Sequence, residues 1–195
     1  MTSLSCSLRS WIGLILILLA APGALLAQES IVYTEPGAGQ FEVPSAVSRI
    51  TVQVWGAGGS GGGVGRGGGG GGAYSVGAFS VSPGDRVPFV VGEGAAPTSE
   101  LPGGTSWFSS PGELSAGGGS SGRNSTTLAG AAGSTAGLYR GGNGAAGATG
   151  LFGIPVRGGG RGSSAGSSAD GTSAFDGTGA AAPFDGGGGG SEGGT

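Results

Sequence analysis

The chain has 195 residues, of which 52 are glycine, and its eight arginines face eleven acidic residues with no lysine or histidine. A net charge of −3 gives no electrostatic reason to expect a nucleic acid or an anionic membrane as a partner. The lack of histidine and of paired carboxylates in an apolar setting argues against hydrolytic catalysis, so we expect a protein that is not an enzyme and uses no cofactor or metal.

Residues 1–27 have the three parts of a secretory signal peptide. Arg9 gives a weakly basic start, residues 11–20 form an apolar run, and residues 25–27 end in an alanine compatible with cleavage. The run is about ten residues long, whereas a membrane-spanning helix needs about 20. We therefore predict a secreted or surface protein with no stable membrane insertion of the mature chain and, because Cys6 lies in the leader, no disulfide.

Residues 28–120 contain the clearest strand patterns. From Ile50 to Trp55 apolar and polar residues alternate with the period of a half-buried strand, and Pro44 ends a short strand before it. Residues 73–81 give another strand, whose apolar side chains change face and so predict a β-bulge near Gly77.

Turn residues then separate three further strands. Ser82-Pro83-Gly84-Asp85 predicts a tight turn, after which residues 87–91 return as the partner of the preceding strand. A Ser-Pro-Gly turn between residues 106–108 and 113–116 predicts a hairpin. Helical spacing and caps are lacking after residue 27, so the class is all-β.

Two tracts carry glycine at every third position. These are Gly56, Gly59, Gly62, Gly65, Gly68 and Gly71, and then Gly141, Gly144, Gly147, Gly150 and Gly153. Three residues per turn is the period of the polyproline II helix, and glycine at each turn offers a bare edge to a neighbour. We predict such helices, packed antiparallel, over residues 121–156. Residues 157–195 either continue this bundle or form a flexible spacer.

Three motifs have simpler interpretations than their formal matches. Residues 56–61 match the dinucleotide-binding fingerprint, but more glycine follows where a helix should begin. Asp-Gly pairs at Asp170, Asp176 and Asp185 do not fit the calcium nonapeptide and predict tight turns. Asn124-Ser125-Thr126 is an acceptor sequence for N-glycosylation, which is relevant only if the source is eukaryotic.

The segment from Phe41 to Gly59, with Val54-Trp55-Gly56-Ala57-Gly58-Gly59 as its most specific part, resembles the glycine-rich domain family of bacterial secreted and phage tail proteins. It is more loosely similar to the glycine-rich extracellular region of anaplastic lymphoma kinase. The resemblance covers about residues 31 to 120. It implies a small β-sandwich from which polyglycine II helices emerge and pack, as in phage tail-tip adhesins that bind receptors through loops.

We therefore expect a small β-sandwich with a polyglycine II bundle, acting as a non-enzymatic interaction or structural protein in adhesion, extracellular matrix or an appendage. Its partner would be a cell-surface or matrix component, polysaccharide or protein, or a second copy. The expected contact residues are Tyr139, Phe152, Phe175 and Phe184, unless these rings plug the sandwich ends. The alternative function is binding to ice or another crystal through a flat face of glycine helices.

Overall fold

The computed structural model of the protein describes residues 29–63, 65–97, 99–122, 132–175 and 177–187. The predicted leader, residues 1–27, and the acceptor Asn124 lie outside the described residues. Contacts divide the chain into Met1–Val32 and Tyr33–Thr195, and the second unit holds all the elements considered below. Within the described ranges, no helix is long and apolar enough to cross a membrane.

Antiparallel strands are the regular elements of the fold. The described ranges contain the strands β1 (Gly37–Glu42), β2 (Arg49–Trp55), β3 (Tyr74–Ser80), β4 (Arg86–Val91), β5 (Ser106–Phe108), β6 (Leu114–Ala116), β7 (Ala148–Thr149) and β8 (Pro155–Arg157). The described part of the chain has no α-helix, and its one helical element is a 3₁₀ turn at Leu151–Gly153. The predicted all-β class is confirmed.

The strands form three sheets. One has four strands in the order β1-β4-β5-β6, and the pairs β2-β3 and β7-β8 form two-stranded sheets. The predicted β5-β6 hairpin is confirmed, with Trp107 opposite Ser115. The predicted partner of residues 87–91 is wrong, because β4 pairs with β1 and β5 instead of β3. Alternation identifies a strand but carries no information about which strand lies beside it.

The predicted bulge near Gly77 is also wrong. The register of β2 with β3 runs unbroken from Arg49 opposite Ser80 to Trp55 opposite Tyr74. The apparent change of face arises because Val76 lies on the exposed side of β3, while Phe79 packs against the core. An exposed valine, which is common on protein surfaces, produced the false pattern.

The turn between β3 and β4 follows its sequence signature. Gly84 has a φ of +83°, which glycine adopts without steric cost. The Asp85 backbone N–H donates to the Ser82 carbonyl at 3.0 Å, and the Ser82 N–H donates to the Asp85 carboxylate at 2.8 Å. This turn carries the chain from the two-stranded sheet into the four-stranded sheet.

Side chains from both of these sheets meet in one apolar core. Val54, Phe108 and Leu114 are buried at its centre. Further apolar residues pack against them, namely Phe41, Ile50, Val52, Phe79, Val87 and Phe89. Phe108 contacts the ring of Phe79 edge-on at a centroid distance of 5.2 Å. Burial of these side chains supplies the hydrophobic stabilisation of this region.

A second interior is made almost entirely of backbone. Its hydrogen bonds recur at every third residue of adjacent segments, whereas β-strands repeat their bonding every second residue. Gly59 and Gly62 donate to the carbonyls of Gly70 and Gly67 at 3.0 Å each. The same three-residue step recurs where Gly68 donates to Ala145 and Gly71 to Gly142, both at 2.9 Å. We call residues 56–63, 65–72, 117–122, 132–147 and 158–174 the glycine region.

Neighbouring segments of the glycine region run in both directions. Residues 67–72 are antiparallel to 141–147, since the bonding partners rise along one segment and fall along the other. They are parallel to 158–165, where Gly159, Gly162 and Ala165 donate to Arg66, Gly69 and Gly72. The expectation of purely antiparallel packing is therefore wrong. Long connections between segments allow both orientations, and a three-residue repeat of donors and acceptors serves either one.

Residues 67–72 form the centre of the glycine region. All six are buried, although none has a side chain. Backbone from five other segments surrounds them, with donors or acceptors in residues 56–62, 117–122, 132–134, 141–145 and 158–165. A methyl group on Gly71 would overlap the Ser163 carbonyl, and one on Gly72 would overlap the Gly56 carbonyl. Glycine is required at these positions because backbone occupies the space a Cβ would fill.

Aromatic rings lie where the two regions meet. Trp55 and Tyr74 form the last cross-strand pair of β2 and β3, with ring centroids 4.9 Å apart. Tyr139 stacks on Tyr74 at 6.0 Å, and their backbones exchange hydrogen bonds of 3.0 and 3.1 Å. The sheet thus passes directly into the glycine region through aromatic packing.

Candidate interaction site

The clearest candidate site is a short hairpin that interrupts the second glycine tract. Ala148 of β7 pairs with Arg157 of β8, and the register shifts before Thr149 pairs with Pro155. The Gly150 N–H donates to the Ile154 carbonyl at 2.7 Å and closes the loop between the strands. The helix predicted over residues 121–156 therefore does not continue through this segment, where glycine spacing is kept but bulky residues fill the other positions.

Three large apolar side chains project from this loop into solvent. Leu151 is 79 %, Phe152 91 % and Ile154 61 % exposed. We call these three residues the apolar tip. Single exposed apolar residues are common, but a group of them at the end of one loop is typical of a contact surface.

Phe152 has a strained backbone in addition to its exposed ring. Its φ of 62° and ψ of 21° lie in the left-handed region, which a bulky residue rarely adopts. It is the only large apolar residue among the described non-glycine residues with a positive φ. Such a conformation costs about 1–3 kcal/mol and persists where surrounding structure holds it. Here the closing Gly150–Ile154 hydrogen bond and the β7-β8 pairing hold it, and the ring points away from the protein.

The other predicted contact residues differ in their exposure to solvent. Phe175 is 96 % and Phe184 76 % exposed, so both are open to contact. Tyr139 is instead half-buried on Tyr74, where it supports the junction of the two regions. Among the described residues, no ring contact joins Phe152, Phe175 and Phe184. The four predicted residues therefore do not form one aromatic patch.

Leu151 and Ile154 belong to the apolar tip but were not among the predicted contact residues. A usable sequence signal existed, because Gly150-Leu151-Phe152-Gly153-Ile154-Pro155 concentrates bulky residues within a tract of otherwise small ones. Backbone segments that pack as closely as those of the glycine region leave no room for such side chains, so these side chains must lie outside the packed segments. Phe152 was predicted from its aromatic ring, which Leu151 and Ile154 lack.

A tyrosine with a shifted pKa lies at the junction of the two regions. Burial raises the pKa of the Tyr74 phenol, and the nearby Tyr139 and Asp185 raise it further. The neutral phenol is the form that the fold accommodates. Among the described residues, no group of three or more metal-ligating side chains converges on a point.

A family profile described as glycine-rich domain matches residues 34–195. The chain belongs to the glycine-rich domain family. The match extends well past the residues 31 to 120 over which the sequence resemblance was drawn, and it includes all the segments of the glycine region and the apolar tip. Neither a curated protein nor a solved structure matches the chain.

Proposed function

We propose that this glycine-rich domain protein is a secreted or surface-exposed, non-enzymatic interaction protein that acts in adhesion, in extracellular matrix or in a surface appendage. The observation that carries the proposal is the apolar tip, whose three side chains are held in water by an ordered hairpin. Its partner is a cell-surface or matrix component, a polysaccharide or a protein. The leader-like residues 1–27 support the location.

The proposed architecture is a small β-sandwich joined to a bundle of polyglycine II helices. The shared core of the two larger sheets supports the sandwich. Hydrogen bonds at every third residue, with glycine wherever segments approach most closely, support the polyglycine II assignment. Circular dichroism tests this part. A polyproline-type spectrum lost cooperatively on heating is expected, and a coil spectrum that changes gradually would overturn it.

Residues 158–174 hydrogen-bond to other segments of the glycine region, which favours a bundle over a flexible spacer for this part of the chain. Ser163 accepts from Gly142 and donates to Thr172 at 2.9 and 3.0 Å. Farther on, the Ala180 N–H donates to the Arg161 carbonyl at 2.9 Å. A flexible spacer would not make such regular contacts to the rest of the protein.

The apolar tip suits a contact surface for physical reasons. Its side chains leave apolar area in water that a partner would cover, and each buried side chain is worth about 1.5–3 kcal/mol before the costs of association. The strained Phe152 backbone positions the ring before binding, so less ordering is needed when a partner arrives. A rigid hairpin base, closed by the Gly150–Ile154 bond, keeps the three side chains together.

Retention of the labelled protein on whole cells and on polysaccharide arrays tests the proposal. The double variant Leu151→Ser with Phe152→Ser should lose most of the retention while its circular dichroism stays unchanged. Leu101→Ser is the matched control, since Leu101 is 60 % exposed and lies outside the hairpin. Equal retention of the double variant and the wild-type protein, or no retention on any surface, would contradict the proposal.

The alternative of ice or crystal binding makes a separate prediction. Flat binding needs a regular row of small side chains, and the segment at residues 148–157 interrupts the second glycine tract with a projecting hairpin. Thermal hysteresis of the purified protein decides between the two. Its presence, together with unchanged activity in the double variant, would favour the ice-binding alternative.

A further inference from the structure

The outer face of the four-stranded sheet carries a shallow pocket of about 320 Å³. Phe41, Phe89 and Phe108 contact the core on the inner face. Because side chains alternate along a strand, residues an odd number of positions away from these rings turn to the outer face. Four such residues line the pocket together with Gly39 and Phe89, namely Ala38, Gln40, Pro88 and Trp107. We call it the Trp107 pocket.

The Trp107 pocket is apolar and uncharged. Trp107 and Pro88 each contribute a ring, and Gln40 supplies the one polar side chain of the lining. Farther along the same face, Arg86 and Glu42 pair with each other at 3.1 Å. An apolar group that enters the pocket therefore displaces water without leaving a charge unpaired. A closed cavity of about 150 Å³ can hold benzene, so the larger Trp107 pocket has room for a phenyl ring.

The apolar tip has the complementary shape and the same chemistry. It projects from the protein, and residues 141–156 carry no charge. Leu151 and Phe152 are 79 % and 91 % exposed, so no described part of the same chain covers them. The left-handed backbone of Phe152 directs its ring away from the loop. Ala38 and Pro88 in the pocket are exposed as well. A single copy thus leaves both an apolar projection and an apolar recess in water.

We propose that the apolar tip of one copy inserts the Phe152 ring into the Trp107 pocket of a second copy. Each chain carries one projection and one recess, so every tip has a pocket available on a neighbour. Pairing of the Phe152 ring with the indole of Trp107 adds to the gain from covering apolar surface. A second copy is therefore a partner whose chemistry is already present in this chain.

The proposed contact joins two different surfaces and is therefore heterologous. A copy that gives its tip keeps a free pocket, so association continues into a head-to-tail chain of copies. The contact is small, and we expect a dissociation constant on the order of 100 µM for each step. The inference rests on the proposed function, because it uses the same apolar tip and describes how copies would assemble into an appendage. The tip at one end of the chain stays free for a surface partner.

Sedimentation velocity of the purified protein, from about 10 to 500 µM, brackets the expected dissociation constant and tests the proposal. The average mass of the wild-type protein should rise with concentration and pass that of a dimer. Ala38→Glu places a carboxylate in the pocket at an exposed position and leaves the core untouched. This variant and the double variant of the apolar tip should each associate at least about tenfold more weakly, as expected when an aromatic anchor is lost.

Two matched controls accompany these variants. Thr51→Glu adds the same charge at an exposed position of β2 outside the pocket, and Leu101→Ser removes an exposed apolar side chain outside the hairpin. Both should associate like the wild-type protein. Gln40→Glu is a second pocket variant at an exposed position of β1, and it should weaken association in the same direction as Ala38→Glu.

An equimolar mixture gives the sharpest result. Ala38→Glu keeps an intact tip, and the double variant keeps an intact pocket, so one molecule of each can still join. Because the resulting pair has neither a second free tip nor a second open pocket, the mixture should form dimers and stop there. Each variant alone should remain a monomer at the same total concentration.

Several results would overturn the proposal. A wild-type mass that does not change with concentration would exclude a second copy as the occupant. Full association of Ala38→Glu would mean that tips pack on one another or on a different surface, and a mixture that stays monomeric would exclude the pairing of tip with pocket. Failure of the proposed function is separate, since it is measured by wild-type retention of the double variant on cells, whatever the sedimentation shows.

Discussion

The sheet region and the glycine region build an interior in opposite ways. In the sheets, β2 to β6 bring large side chains such as Phe108 and Leu114 together, and the backbone lies outside that core. In the glycine region, residues 67–72 are buried with no side chains, and backbone packs on backbone. The comparison teaches that a buried interior requires close packing and satisfied polar groups, while apolar side chains are one means among others.

Enlarging a residue should destabilise the glycine region, whereas making one smaller should destabilise the sheet region. Gly71→Ala adds one methyl group where the Ser163 carbonyl already lies, and backbone from neighbouring segments cannot easily move away. We expect a loss of about 4 kcal/mol or more of unfolding free energy, beyond the usual range of about 1–3 kcal/mol for overpacking. Denaturant unfolding measures it.

Gly112→Ala is the matched control for Gly71→Ala. Gly112 is exposed in the turn between β5 and β6, and a methyl group there meets nothing within 4 Å. The change should lie within about 0.5 kcal/mol of the wild-type protein. If both alanine variants were equally stable, the account of the glycine region as a close-packed interior would be wrong.

The sheet region should instead be sensitive to the removal of a side chain. Phe108 is 5 % exposed and contacts the rings of Phe41 and Phe79. Phe108→Ala leaves a cavity, and we expect a loss of about 3 kcal/mol, near the lower end for such changes because several neighbours are only partly buried. A change below about 1 kcal/mol in denaturant unfolding would mean that this core contributes little.

The junction between the regions should give the fold an alkaline limit. Burial raises the pKa of Tyr74 above the value near 10 that an unfolded tyrosine has. Its contribution to stability is fully present below about pH 10 and is lost as the pH rises through the raised pKa, because the unfolded chain ionises first. Unfolding free energy measured from pH 8 to 11 should fall less steeply in Tyr74→Phe. An identical decline in both proteins would exclude Tyr74 as its source.

Surface charge should matter least in both regions. The Arg86–Glu42 pair joins the ends of β1 and β4, and both side chains are about two-thirds exposed, at 67 % and 65 %. Glu42→Gln should change the unfolding free energy by less than about 0.5 kcal/mol. The check is denaturant unfolding of both proteins at increasing salt concentration. A loss of unfolding free energy above about 1 kcal/mol would show that the sheet edge depends on this pair.

The sequence predicted local structure better than the arrangement of segments. Alternation from Ile50 to Trp55 identified β2, and the turn residues identified the β5-β6 hairpin, because both signals are local. The β1-β4 pairing could not be predicted, since it joins residues far apart in the chain. The three-residue period of glycine predicted the repeat of the hydrogen bonds but not the direction of each segment.

The candidate site was less accessible from sequence. Phe152 was predicted as a contact residue, whereas Leu151 and Ile154 were not. Tyr139 is aromatic like Phe152, and only the structure separates the ring packed on Tyr74 from the exposed one.

Amide hydrogen exchange of the glycine region tests the central claim most directly. Gly68, Gly70 and Gly71 each donate a backbone hydrogen bond of 2.9 Å inside the buried run of glycines at residues 67–72, which has no side chains. The account predicts that their exchange is slowed to within about tenfold of the amides in β2. Exchange at the rate of an unstructured chain, while the β2 amides stay protected, would contradict a packed backbone interior.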